Sequence, residues 1–150
     1  MPNGPFGNGG DPGSLCTPVP RGSIVTYALV ALENHGTATA RITKVNLTDP
    51  RHGLRVLAAY VVQVTGTVLY GVRLGFPQAD QMPAGEHWQQ RVAAEKAQVY
   101  GNKVANLVLV LRPAFTGGSA RGVDVYYQVG DNQYLLRSAT RIRIVVGPSC

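Results

Sequence analysis

The stretch of residues 24–49, IVTYALVALENHGTATARITKVNLTD, places the strongest constraint on the fold. Two runs with the composition of β-strands flank a polar turn at Glu33-Asn34-His35-Gly36, which is the pattern of a β-hairpin. In the first run the residues on both faces are mostly apolar, and we therefore expect a strand in the centre of a sheet. The hairpin predicts a β fold but indicates no function.

The second run of this stretch changes its alternation halfway. Ala40 and Ile42 share one parity, whereas Val45 and Leu47 have the opposite one. Because side chains alternate with a period of two, these pairs reach the same core only if the strand gains one residue between them. The sequence therefore predicts a β-bulge near Thr43-Lys44.

Further strand patterns follow on both sides. We expect a short edge strand or extended arm over 16–19, and strands over 54–64 and 67–76 that form a tight hairpin around Thr65-Gly66. In the second of these, alternate residues from Val68 to Phe76 predict a single core face, which also contains Tyr70, Val72 and Leu74.

The C-terminal part reads as four strands and a loop. A buried strand is expected over 105–111, a flexible loop over Thr116–Ser119, and a hairpin of 122–129 and 133–137 on Gly130-Asp131-Asn132. The last strand, 140–146, alternates Arg141 and Arg143 with apolar residues, which predicts a half-buried strand with a basic outer face.

Residues 77–103 differ from this pattern. Trp88, Val92 and Val99 recur at helical spacing, and alanines, which form helices well, lie between them. We expect an amphipathic helix from about Glu86 to Gln98, closed by Gly101. Trp88 would then cover one open end of a sandwich.

Composition agrees with one β-rich domain. Charged residues make up 15% of the 150 residues, below the usual quarter, and the chain contains 18 Gly and 10 Pro. Residues 1–14, MPNGPFGNGGDPGS, contain one large apolar side chain, Phe6. We expect a flexible tail over 1–14 and a β-sandwich domain over 15–150, with Phe6 as an anchor if the tail docks to a partner.

Two cysteines lie near the ends of the chain. Cys16 precedes the first long strand and Cys150 is the last residue. In a secreted domain they predict one disulfide between the first and last strands, while unrelated thiols or a cross-link to another chain are the alternatives. The N-terminal residues contain no basic-then-apolar segment of the secretory type, and we therefore expect either a mature secreted form with an added Met1, or a cytosolic or virion component.

Two segments resemble a known family. The runs VTYALVALENHGTATARITKVNL and GVDVYYQVGDNQYLLRSATRIRIVVGPSC are similar to bacterial immunoglobulin-like sandwich domains of small secreted proteins, over roughly residues 23–150. Trp88 departs from that family, which more often keeps its tryptophan on a central strand. The resemblance implies an antiparallel immunoglobulin-like sandwich. Together with the residue patterns, it predicts about seven to eight strands with one short helical insertion near 86–98. It also implies a binding or assembly module.

Catalytic and metal chemistry find little support. The chain has no Gly-x-Ser-x-Gly elbow and no closely spaced carboxylate pair, and its three histidines fall in or beside predicted turns. A copper site from Met82 and His87 with His35 or His52 is less favoured than ordinary surface side chains. We therefore expect no enzyme, no cofactor and no metal.

Charge and hydropathy also limit the partners. The formal net charge is +6, but no run of five cations occurs, which argues against nucleic acid. The sequence contains no apolar run of 18 residues, and we therefore expect no membrane-spanning helix.

Aromatic and basic residues remain as candidate partner contacts. They are Phe6, Trp88, Tyr126, Tyr134, Arg137, Arg141 and Arg143. We expect a noncatalytic adaptor or structural subunit of an extracellular assembly, which binds protein through a sheet face and the tail. A carbohydrate-binding module with coplanar Tyr126, Tyr134 and Trp88, or a virion or tail decoration subunit, are the alternatives.

Overall fold

The structure, a computed structural model, describes residues 4–7, 13–65 and 70–150. This part of the chain is all-β, as predicted, but it contains twelve strands where the sequence predicted about seven to eight. Three short 3-10 turns lie at Ala79–Gln81, Trp88–Gln90 and Ala94–Lys96. The strands are β1 Gly13–Val19, β2 Val25–Glu33, β3 Ala40–Thr48, β4 Arg55–Val64, β5 Gly71–Leu74, β6 Val92–Ala93, β7 Gln98–Val99, β8 Val104–Arg112, β9 Gly118–Ala120, β10 Gly122–Val129, β11 Asn132–Arg137 and β12 Thr140–Val146.

The described strands form three sheets around one main core. Their orders are β5-β2-β8-β4-β6, β11-β10-β3-β7 and β1-β12-β9, and every pairing is antiparallel except that of β1 with β12. The five-stranded sheet contributes one side of the core, including Leu107, Leu109 and Leu111 of its central strand β8. The other two sheets supply the facing residues, such as Ile42, Val125 and Ile144. Each fully buried aliphatic side chain stabilises the fold by roughly 1.5–3 kcal/mol.

The predicted hairpin of residues 24–49 is wrong, although both strands exist. β2 pairs with β5 and β8, whereas β3 pairs with β10 and β7 in another sheet. The connection crosses between the sheets and is anchored by Asn34, whose buried amide donates to the carbonyls of Ala38 and Val99. The central position of β2 is confirmed.

The predicted bulge in β3 is confirmed. Ile42 lies opposite Tyr127 and Lys44 opposite Tyr126, which leaves Thr43 as the extra residue. Ile42 is buried in the main core, and Val45 and Leu47 pack against the same core while half exposed.

The predicted hairpin around Thr65-Gly66 is also wrong. β4 and β5 belong to one sheet but are separated by β8 and β2. Tyr70 packs on the opposite face of the sheet from Val72, and Leu74 and Phe76 are exposed. Gly71, with φ of +86°, interrupts the alternation between them. Val68 lies outside the described residues.

The predicted helix over 86–98 is wrong as well. β6 pairs with β4 at Tyr60 and Val61, and β7 pairs with β3 at Ala40 and Arg41. Residues 92–99 therefore connect the edges of two sheets, with Ala94 and Ala97 buried between them. These long-range contacts outweigh the helix propensity of alanine, which is a weak preference.

The C-terminal strands are largely as predicted. β8 is buried, β10 and β11 form the hairpin, and β12 buries Ile142 and Ile144 while exposing Arg141 and Arg143. The loop predicted at Thr116–Ser119 is wrong in its second half, because Gly118–Ala120 forms β9 beside β12.

The predicted disulfide is present and joins the two ends of the fold. Cys16 and Cys150 are bonded, with their Cα atoms 6.3 Å apart. Cys16 lies on β1, an edge strand that runs parallel to the last strand β12. Among the described residues, no helix has the length and apolar character that crossing a membrane requires.

Candidate functional site

A groove lies on one side of the molecule between β3 and β4. Its volume is about 740 Å³. The apolar part of its lining comes from β3, from β4, from the connection between them and from the end of β6 with the residue after it: Val45, Leu47, Pro50, Leu54, Val56, Ala59, Ala93 and Ala94. Its size and apolar lining are typical of a ligand-binding concavity, and it is our candidate binding site.

Two β-bulges direct side chains into this groove. Thr43 is the extra residue on β3, and it turns Val45 and Leu47 towards the space between the sheets. On β4 the register shifts between Val56 and Ala58, so Leu57 is extra and points outward. Bulges re-aim side chains and end regular pairing, and here one occurs on each wall of the groove.

The backbone edges beside the groove lack strand partners in the described part of the chain. β7 covers β3 only at Ala40 and Arg41, and β6 covers β4 only at Tyr60 and Val61. Residues 44–48 of β3 and 55–59 of β4 therefore present one free edge each, among residues 4–7, 13–65 and 70–150. Free edges supply unpaired N–H and C=O groups that another strand can use.

The rim of the groove is charged and exposed. Arg55 lies at the start of β4, and Glu95 and Lys96 lie on the opposite rim. Both signs of charge are thus available around an apolar floor, an arrangement that suits a segment with apolar residues inward and polar residues outward.

Trp88 lies on the outer face of the five-stranded sheet, where it belongs to a second apolar cluster. It is 9% exposed and packs with Ala28, Val62, Tyr70 and Val108. Tyr60 meets its ring edge-on at 5.5 Å, and the Arg91 guanidinium lies 4.5 Å above it. Trp88 therefore covers a sheet face, not an open end of a sandwich.

A buried carboxyl group anchors the same segment. Glu86 Oε1 accepts a hydrogen bond from Asn106 Nδ2 at 2.5 Å. Burial raises the pKa of Glu86, and the hydrogen bonds from Asn106 and from the Tyr70 backbone lower it in part. Within the described residues, Asn106 Oδ1 is buried without a hydrogen-bond partner.

Tyr126 and Tyr134 lie on opposite faces of their sheet. Tyr134 is opposite Tyr127 on the core side, with ring centroids 5.4 Å apart. Tyr126 points outward beneath Lys44, and it shares that face with Arg137. The Arg137 Nε donates to Asp124 Oδ1 at 2.7 Å, and this partner raises the pKa of Arg137. Tyr134 and Arg137 therefore lie on opposite faces of the sheet and do not form one outer patch.

Phe6 occupies a place in the core of its own chain. It is 3% exposed, and its ring stacks on Tyr127 at 3.9 Å. Its backbone N–H donates to the Tyr127 hydroxyl at 3.2 Å, while the Pro5 carbonyl accepts from the His35 backbone. Binding of Phe6 to a partner stays a prediction, and it would require Phe6 to leave this position.

No metal centre appears among residues 4–7, 13–65 and 70–150, where no three His, Cys, Asp or Glu side chains could hold one ion. The remaining predicted contacts, Arg141 and Arg143, lie exposed on β12. The groove itself was missed from sequence. Its one visible signal was the parity change at Thr43, because the residues after it turn towards the groove.

Searches of family models, curated proteins and solved structures give no match to this chain. Membership in the immunoglobulin-like family therefore stays a prediction.

Proposed function

We propose that this protein is a noncatalytic protein-binding subunit of an extracellular assembly, and that its partner places an extended segment in the groove between β3 and β4. One observation carries the proposal: within residues 4–7, 13–65 and 70–150, two strand edges without partners flank an open apolar groove. The proposed architecture is the immunoglobulin-like sandwich predicted from sequence.

An extended segment is the occupant that matches the groove's walls. A strand added to β3 or β4 would pair with backbone groups of residues 44–48 or 55–59. Five residues in a strand extend about 16 Å, and every second side chain would face Val45, Leu47 and Val56. A helix would leave both edges unpaired, so the strand is favoured.

The extracellular location is supported by the disulfide. Disulfides persist in oxidising compartments, and here Cys16–Cys150 joins β1 to the C-terminus. A carbohydrate-binding module gains little from the aromatic residues, because Trp88, Tyr126 and Tyr134 lie on three different surfaces. A coplanar platform needs them side by side.

The test selects linear twelve-residue peptides from a displayed random library on the disulfide-intact protein. Binding of the selected peptides is then measured on Leu47→Arg, which places a charge in the groove, and on Leu74→Arg, which changes an exposed leucine of β5. We expect at least tenfold weaker binding to Leu47→Arg and unchanged binding to Leu74→Arg. Peptides N-methylated at alternate amides should also bind at least tenfold less well, because strand pairing needs those N–H groups.

Three outcomes would overturn the proposal. Selection could yield no peptide, or the peptides could bind both variants equally. Sedimentation could instead show a dimer that Leu47→Arg dissociates, which would make a second copy of the chain the occupant and favour a self-assembling decoration subunit.

A further inference from the structure

The outer face of the three-stranded sheet is a basic surface apart from the groove. Arg141 and Arg143 are exposed on β12, with uncharged Ser14 and Cys16 opposite them on β1. On the other side of β12, Ser119 lies opposite Arg143. The next residue of β9, Ala120, lies opposite Ile142, and the exposed Arg121 follows it directly, with its backbone N–H donating to the Thr48 carbonyl.

These three arginines lack neutralising partners in the described part of the chain. No carboxylate there lies within 4.0 Å of Arg121, Arg141 or Arg143, whereas the neighbouring Arg51 pairs with Asp49 at 3.1 Å. Arg141 and Arg143 lie two residues apart on one face of β12, so both positive charges attract an anion that approaches this face. A hollow of about 430 Å³, lined in part by His52, Ser119 and Arg143, lies beside the row.

Guanidinium groups bind carboxylate, sulfate and phosphate through paired N–H donors, and they are preferred over lysine where this geometry matters. One feature of single-stranded nucleic-acid surfaces, an exposed aromatic ring on which bases stack, is missing from the three strands of this face: the described residues of β1, β9 and β12 include no aromatic side chain. The disulfide also favours a polyanion found outside the cytosol.

We propose that the face formed by Arg121, Arg141 and Arg143, called here the arginine face, binds an acidic polysaccharide. Its carboxylate or sulfate groups would lie along β12, and one sugar unit would enter the hollow beside Arg143. This site is independent of the peptide groove and needs no aromatic platform.

The experiment measures binding of fluorescent heparin and polygalacturonate to the disulfide-intact chain over a range of NaCl concentrations. The test variant is Arg141→Gln with Arg143→Gln. The control is Arg41→Gln with Arg73→Gln, which gives the same net charge but alters two other sheets. We expect binding by the test variant to weaken about tenfold with a shallower salt dependence, and binding by the control to change less than about twofold.

Single-stranded DNA and vesicles of anionic phospholipid are measured in parallel. Tighter binding of DNA or vesicles than of either polysaccharide would overturn the proposal. Equal losses in both variants would overturn it too, because they would show attraction to net charge alone. So would the absence of polysaccharide binding at low salt.

Discussion

The side of the molecule between β3 and β4 has a closed half and an open half. In the closed half, residues 92–99 pair with both strands and bury Ala94, Ala97 and Val99 to 2%, 2% and 0% exposure. In the open half, Val45 and Val56 face the same core but stay half exposed, since no described strand covers them. The strands are the same in both halves, and only the covering segment differs.

This difference shows where the fold buries apolar surface for its own stability and where it leaves such surface accessible, as the proposed binding groove requires. Apolar area stabilises in proportion to the area removed from water. A valine of the closed half therefore stabilises the fold more than a valine of the open half. The open half retains area that a partner can bury.

Removing the disulfide is expected to have the largest effect and to act on both halves alike. In Cys16→Ser with Cys150→Ser, the unfolded chain is released from a link across 134 residues. Chain-entropy reasoning then predicts a loss of about 4–5 kcal/mol in the free energy of unfolding. Denaturant titration measures it, and a loss below about 1 kcal/mol would show that strand pairing alone holds the ends together.

Val99→Ala tests the packing of the closed half. Val99 is fully buried opposite Ala40, so the substitution removes two buried methyl groups and leaves a cavity. We expect the free energy of unfolding to fall by about 2 kcal/mol while peptide binding at the groove is kept. An unchanged stability would mean that residues 92–99 do not cover the core in solution.

Glu86→Gln sharpens the comparison at the buried carboxyl group that precedes residues 92–99 in the chain. The pKa of Glu86 is higher in the folded protein than in the unfolded chain. The contribution of Glu86 to the free energy of unfolding is therefore fully present below the unfolded pKa of 4.5 and is lost as the pH rises through the folded pKa. The variant does not titrate, so above that value it should be more stable than the wild type by about 1 kcal/mol. Below pH 4.5 the two should differ little.

Denaturant titrations at several pH values measure this difference. Glu95→Gln is the matched control, because Glu95 lies close to Glu86 in the chain but its side chain is exposed. If both variants show the same pH profile as the wild type, Glu86 is not buried as described.

Val45→Ala tests the open half. Of these substitutions, it is expected to have the smallest effect on stability. Val45 is half exposed, so the free energy of unfolding should fall by about 0.5–1 kcal/mol, less than for Val99→Ala. Affinity for groove-binding peptides should fall severalfold, since the valine forms part of the groove's apolar wall. A stability loss equal to that of Val99→Ala would contradict the distinction between the halves.

Sequence patterns identified strands where polar residues mark one face. The alternation of Arg141 and Arg143 with isoleucines predicted the orientation of β12, and the parity change predicted the bulge at Thr43. β2 carries a bulge as well, because Tyr27 lies opposite Leu109 and Val30 opposite Leu107. Its two apolar faces concealed that bulge, since no polar residue shows a change of parity.

The candidate site was harder to predict than the fold. Arg141 and Arg143 were named as partner contacts from sequence and are exposed, whereas the groove was not foreseen. Its shape depends on where residues 92–99 pair, and helix propensity in that segment suggested a different structure. Phe6 and Tyr134 were named as contacts but lie against Tyr127, because long-range stacking decided their positions.

The sequence by itself determined the all-β class, most of the strands and the two cysteines that join the ends, because alternation and turn residues are local properties. Only the tertiary structure decided which strands pair, as both predicted N-terminal hairpins show. A strand with two apolar faces suits several neighbours equally well, and its pairing is selected by burial across the whole core. The groove follows from the same selection: β6 and β7 cover half of each strand edge, and no local pattern records which half.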